Sequence, residues 1–121
     1  MKKIAVSSEG PKLDDQVDER FGRAGGFIIV DPDTMETEYI DNGSTQVMGH
    51  GAGIQAAEIV AKAGAGVVLS GYVGPKAFSA LAGAGIKIGQ GCENMTVREA
   101  VEKYIKGEIS IADRANREAG I

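Results

Sequence analysis

A nine-residue pattern occurs twice in this chain. Ala61-Lys62-Ala63-Gly64-Ala65-Gly66-Val67-Val68-Leu69 aligns with Ala80-Leu81-Ala82-Gly83-Ala84-Gly85-Ile86-Lys87-Ile88, nineteen residues later. Each copy reads as a helix end, a glycine turn and a strand, which is the beat of parallel βα units. Such units restrict the chain severely, because parallel strands in one sheet need right-handed crossovers. The two copies also differ. Val67-Val68-Leu69 is apolar throughout, as a strand covered on both faces must be, whereas Ile86-Lys87-Ile88 alternates, as an edge strand does.

The remaining elements fall around this repeat. Residues 3–8 and 26–31 read as strands, the second a continuous apolar run, and residues 35–40 alternate like a half-exposed hairpin partner. Between them lie a polar, acidic loop over residues 9–23 and a Pro32-Asp33 turn. From Gly51 the period switches to helical, with Ile54, Ala57, Val60 and Ala61 as the apolar stripe and Gly64 as the stop. Gly74-Pro75 opens a second helix with proline at its first position. Thr96-Val97-Arg98-Glu99 is a capping box for a last helix, whose stripe is Val97, Ala100, Val101, Tyr104 and Ile105. Residues 107–121 read as a charged tail, so residues 1–106 form the expected domain.

The order β-β-β-α-β-α-β-α predicts an α/β fold with a five-stranded mixed sheet flanked by helices. Its strand order is 3-2-1-4-5, with strand 2 antiparallel, an order resembling that of ribonuclease-H-like folds. Strands 1 and 4 then lie side by side, and the chain leaves them in opposite directions. Their carboxyl ends form a switch point, where open α/β sheets bind ligands. Residues 9–23, 71–74 and 89–95 are delivered there, and residues 42–49 are the connection that carries His50 toward the same end.

Composition narrows the chemistry. A net charge of −4 over 121 residues lacks the basic face of a nucleic-acid binder. No apolar run is long enough to span a membrane and the N-terminus lacks a signal-peptide pattern, so a cytoplasmic location is the expectation, with the chain taken as a monomer. The first strand carries no carboxylate, and Asp14, Asp15 and Asp18 read as solvated loop residues, so a two-metal nuclease is disfavoured. Gly51-Ala52-Gly53-Ile54-Gln55-Ala56 fits a G-x-G-x-x-A string, but no tight strand–turn precedes it and the next strand ends without an acid.

What remains is a set of loop residues with glycine neighbours. His50, the only histidine, lies in Gly49-His50-Gly51-Ala52-Gly53 at a helix start, where N–H groups favour anions. Cys92 follows Gly89-Gln90-Gly91, Arg20 and Arg23 flank Phe21-Gly22, and Tyr72 sits in Gly71-Tyr72-Val73-Gly74. Taken singly, each has a plainer reading: a structural histidine, a buried cysteine, solvated arginines, a packed tyrosine. Together they cannot close a four-ligand zinc site. They suit a preformed anionic cluster, with arginines and helix N-termini offsetting its charge and His or Cys giving a soft contact.

Phe21-Gly22-Arg23-Ala24, His50-Gly51-Ala52-Gly53 and residues 71–76, in this order and spacing, resemble the NifX/NafY and NifB C-terminal family of iron–molybdenum cofactor carrier domains, over residues 1–106. The resemblance implies a ribonuclease-H-like fold and a non-enzymatic role. It implies noncovalent binding or carriage of a metal–sulfur cluster, of the molybdenum–copper sulfide or iron–molybdenum type. His50 matches the family histidine associated with cofactor, and Cys92 is carried as a second candidate metal contact. Backbone at Gly51, Gly53 and Gly74, with Tyr72, Arg20 and Arg23, would surround the cluster, and protein partners would donate or accept it. The rival expectation is a protein-interaction module whose ancestral cluster site is empty, with the acidic loop and charged tail as docking surfaces.

Overall fold

The computed structural model describes residues 2–43 and 51–115. The elements are β1 (Lys3–Ser8), β2 (Gly26–Val30), β3 (Thr37–Asp41), α1 (Ala52–Lys62), β4 (Ala65–Leu69), α2 (Pro75–Gly83), β5 (Lys87–Gly89) and α3 (Val97–Ile105). They form one sheet of order β3-β2-β1-β4-β5. β2 is antiparallel to β1 and β3, while β1–β4 and β4–β5 are parallel. The sheet agrees with the expected topology, because the repeated βα pattern fixes two crossovers and the three leading strands can only pair as hairpins.

Helices cover both faces. Ala5, Phe27, Ile29 and Val68 turn toward α1 and α2, where Ala56, Ala57, Val60, Ala77 and Leu81 close one core. Ile4, Val6, Ile28, Val30, Val67 and Leu69 turn the other way, under Val97, Ala100 and Val101 of α3. Alternation along each strand assigns its residues to the two faces. β4 is apolar on both, as its unbroken sequence requires.

Several local expectations change. The third strand starts at Thr37 rather than Met35, because Met35 adopts a left-handed backbone (φ 62°) and its N–H closes a turn on the Asp31 carbonyl at 2.7 Å. β3 is exposed along most of its length, so its alternation marks an outer edge strand. In α1 the buried residues are Ala52, Ala56, Ala57 and Val60, while Ile54 is 41% exposed and Ala61 lies outside. The stripe is rotated because α1 approaches α2 too closely for anything larger than alanine: a Cβ on Gly53 would lie 2.9 Å from that of Ala77. In α3, Ile105 is likewise exposed.

Residues 107–115 do more than trail from the domain. Ile111 bridges Gly89 in the antiparallel sense, and the Ala112 N–H donates to the Ile88 carbonyl at 2.8 Å. Ile109 packs so closely over Gly89 that a Cβ there would lie 2.9 Å from its Cγ2. The segment therefore covers the β5 edge. Among the described residues, no helix is long and apolar enough to cross a membrane.

Candidate functional site

The carboxyl ends of β1, β4 and β5 share one end of the sheet. The register Ser8↔Gly26↔Asp41 brings the start of β2 and the end of β3 to that same end. The chain therefore leaves β3 where α1 must begin, and α1 starts beside α2 at the switch point. Two contacts fix the junction. Gly53, in the first turn of α1, meets Ala77 in the first turn of α2, and a Cβ on Gly22 would lie 3.0 Å from the Gly53 Cα. Glycine at 22 and 53 is what allows the loop and both helix starts to touch.

Among the described residues, neither of these helices has a side-chain cap. Gly51 caps α1 in a left-handed conformation (φ 79°) and Gly74 caps α2 in an extended one, with no side-chain cap and no acidic residue in either first turn. α3 is the contrast: Thr96 and Glu99 complete its capping box, and Glu99 lies in its first turn. Uncapped first-turn N–H groups present positive partial charge. Two such ends placed together make an anion-attracting surface, which the proline at α2's first position only slightly reduces by removing one donor.

The arginine loop is tied across this surface. Phe21 is fully buried against Phe27, with ring centroids 5.2 Å apart, and anchors the loop in the core. Its N–H donates to the Tyr72 carbonyl at 3.0 Å, and the Tyr72 N–H donates to the Glu19 carbonyl, so residues 19–21 run beside residue 72 like a short parallel ladder. Gly71 is obligatory here, since a Cβ would lie 2.6 Å from the Glu19 carbonyl oxygen. Asn42, buried at the end of β3, donates from Nδ2 to the carbonyls of Ala24 (3.0 Å) and Gly22 (3.4 Å), and its N–H bonds the Gly25 carbonyl. Arg20 is exposed and Arg23 half-buried, with Arg20 Nη2 3.5 Å from the Arg23 carbonyl.

The structure thus gathers Arg20, Arg23, Gly51, Gly53, Tyr72 and Gly74 at one end of the sheet. Tyr72 contributes its backbone to the ladder. His50 lies outside the described residues, although it precedes Gly51 directly in sequence. Cys92 is set apart in the opposite core, 1% exposed among Ile4, Val67 and Val97. Burial, helped by the Glu93 carboxylate, pushes its thiol up to about 11, against the smaller opposing effects of the Ser70 backbone hydrogen bond and Lys103. Its sulfur is enclosed in the core under α3, on the other face of the sheet from α1 and α2.

Sequence reasoning missed the residues that shape this end of the sheet: Ser7, Asp18, Gly22, Asn42 and Ser70. Asp18, expected to be solvated, is half-buried and hydrogen-bonded. Only Gly22 carried a signal, its place between the two arginines. Among the described residues, no group of three or more His, Cys, Asp or Glu side chains could hold a metal ion. What the residues present suit is an anion, met by N–H groups and guanidinium.

A model of the dinitrogenase iron–molybdenum cofactor family matches residues 1–107. The chain is 57% identical to the orange protein of Desulfovibrio gigas, whose apo structure covers 97% of this chain and 98% of its own with a TM-score of 0.95. A Thermotoga NifB-type protein solved by NMR is 31% identical, with a TM-score of 0.84 over 97% of this chain and 98% of that one. An uncharacterised Methanocaldococcus jannaschii protein is 27% identical over 112 residues, 90% of each chain.

Proposed function

Because the chain belongs to the dinitrogenase iron–molybdenum cofactor family, we propose that it binds and carries a preassembled anionic metal–sulfide cluster. The cargo sits at the carboxyl end of the sheet and is held noncovalently. The observation that carries this reading is the pairing of two uncapped helix starts, brought into contact by Gly53 and Ala77 and overlaid by Gly22 of the arginine loop. Backbone N–H groups in the first turns of α1 and α2 meet the sulfides, with Gly51, Gly53 and Gly74 permitting close approach. Arg20 and Arg23 balance the remaining charge, and Tyr72 fixes the loop through its backbone. His50, joined directly to the α1 cap, supplies a single soft contact. The role is carriage, not catalysis.

The family resemblance implies a molybdenum–copper sulfide or an iron–molybdenum type cargo, and the two have the same requirement for N–H donors and cations. The test is titration of the apo chain with tetrathiomolybdate and copper(I). A charge-transfer absorption that saturates at fixed stoichiometry is expected, and Arg20→Gln together with Arg23→Gln should weaken loading about tenfold or more, as loss of charge-assisted hydrogen bonds implies. Unchanged titration in His50→Ala would remove His50 from the site. No saturable band with any sulfide cluster would overturn the reading.

A further inference from the structure

The arginine loop is closed by a carboxylate. Asp18 Oδ1 accepts the Arg20 N–H at 3.2 Å, and Oδ2 accepts the Gly25 N–H at 3.2 Å. Those two bonds bracket the stretch that contains both arginines and Gly22. Asp18 is itself fixed to the sheet. Its N–H donates to the Ser7 carbonyl at 2.9 Å, and its carbonyl accepts the Ser7 hydroxyl at 2.8 Å. The Ser7 and Ser70 Oγ atoms are 2.8 Å apart, and both residues are fully buried. A hydroxyl has one proton, so Ser70 donates to Ser7 while Ser7 donates to Asp18. Ser7 lies on β1 and Ser70 immediately follows β4, the two strands that define the switch point.

We propose that Asp18 is a positioning residue for cargo binding: it couples the Ser7–Ser70 pair at the switch point to the arginine loop and holds Arg20, Gly22 and Arg23 over the helix starts. The inference rests on the cluster-binding reading above. Its sign runs against simple electrostatics, and that makes it testable. A carboxylate beside a site for an anion reduces the attraction by its charge alone, so removing that charge should tighten loading if charge were its whole effect. Asp18 is retained there for its two acceptors, each of which holds one end of the loop. Asparagine preserves the shape but offers one acceptor oxygen, and its amide group cannot accept the second N–H.

The experiment compares full-length wild type, Asp18→Asn and Asp18→Glu. In the apo proteins, amide hydrogen exchange is followed at Arg20 and Gly25. In the loaded proteins, tetrathiomolybdate–copper titration gives affinity, and circular dichroism of the charge-transfer band reports the arrangement around the cargo. The expected result for Asp18→Asn is about tenfold faster exchange at one or both amides, with melting little changed, as loss of one hydrogen bond implies. Loading should weaken about tenfold and the dichroic band should change shape. Asp18→Glu restores the charge but moves the oxygens, so it should remain weak. Loading of Asp18→Asn equal to or tighter than wild type, or full recovery in Asp18→Glu, would overturn the proposal, as would unchanged exchange at both amides. A wild-type chain that develops no band defeats the cluster reading and this inference together, whereas wild-type loading with an unaffected Asp18→Asn defeats this inference alone.

Discussion

At the scale of single residues, side-chain type and side-chain availability part company. Cys92 has the softest ligand atom in the chain, yet its thiol is enclosed in the core under α3 and stays protonated to about 11, above the 9.0 of an unfolded cysteine. The folded form therefore keeps a proton that the unfolded form loses across that interval. Stability from this group is fully present below about pH 9 and falls as pH rises toward 11. Denaturant melts across that range should show a steeper decline in wild type than in Cys92→Ala, while cluster loading at neutral pH should be the same in both. Glycine behaves conversely, since its lack of a side chain is what the site uses. Gly22, Gly53 and Gly71 each stand where a Cβ would meet backbone or Ala77 at 3.0 Å or less.

At the scale of elements, the two uncapped helices are the exception within a fold that can cap. α3 has its complete box, whereas α1 and α2 begin on Gly51 and Gly74 and meet one turn in, at Gly53 and Ala77. Gly53→Val tests whether that contact matters. The added Cβ is 2.9 Å from the Ala77 Cβ, so the helix starts must separate, at a cost of about 1–3 kcal/mol typical of overpacking. Denaturant midpoints should fall accordingly, and loading should weaken beyond what the lost stability alone explains. Loading at wild-type strength in a folded Gly53→Val protein would show that the helix pair is not the site. The strands show a related division. Their faces were legible because residues alternate, but the exact start of β3 was not, since it depended on the left-handed turn at Met35.

At the scale of the molecule, a net charge of −4 must coexist with an end that attracts anions. The attraction is local, made by helix starts and two arginines, so it should be screened by salt. Raising ionic strength from about 0.05 to 0.5 M shortens the screening length from about 14 to about 4 Å. Cluster affinity should fall over that range, with a shallower slope in Arg20→Gln. A salt-independent affinity would mean that direct ligation, not charge, holds the cluster. The sheet that supports this end is bounded by exposed, acid-bearing β3 on one side and by residues 109–112 along β5 on the other. In sequence these last residues look like a tail because their charged stretch has no periodicity, and their contact with β5 depends on the absence of a side chain at Gly89.

The sheet is written in local signals of the chain. The repeated βα pattern, the apolar runs and the glycine–proline and Thr96–Glu99 helix signals are local, and handedness rules turn local order into strand order. The sequence also carried the candidate residues, because glycine, arginine and histidine in loops are visible one by one. Which of them meet depends on long-range packing. Arg20, Gly53 and Gly74 converge because β3 ends where β1 and β4 end, while Cys92 leaves the group because its loop turns under α3. The carboxylate of Asp18 and the Ser7–Ser70 pair were invisible in one dimension for the same reason. Hydrogen bonds between residues up to 63 positions apart exist only once the sheet has brought β1 and β4 together.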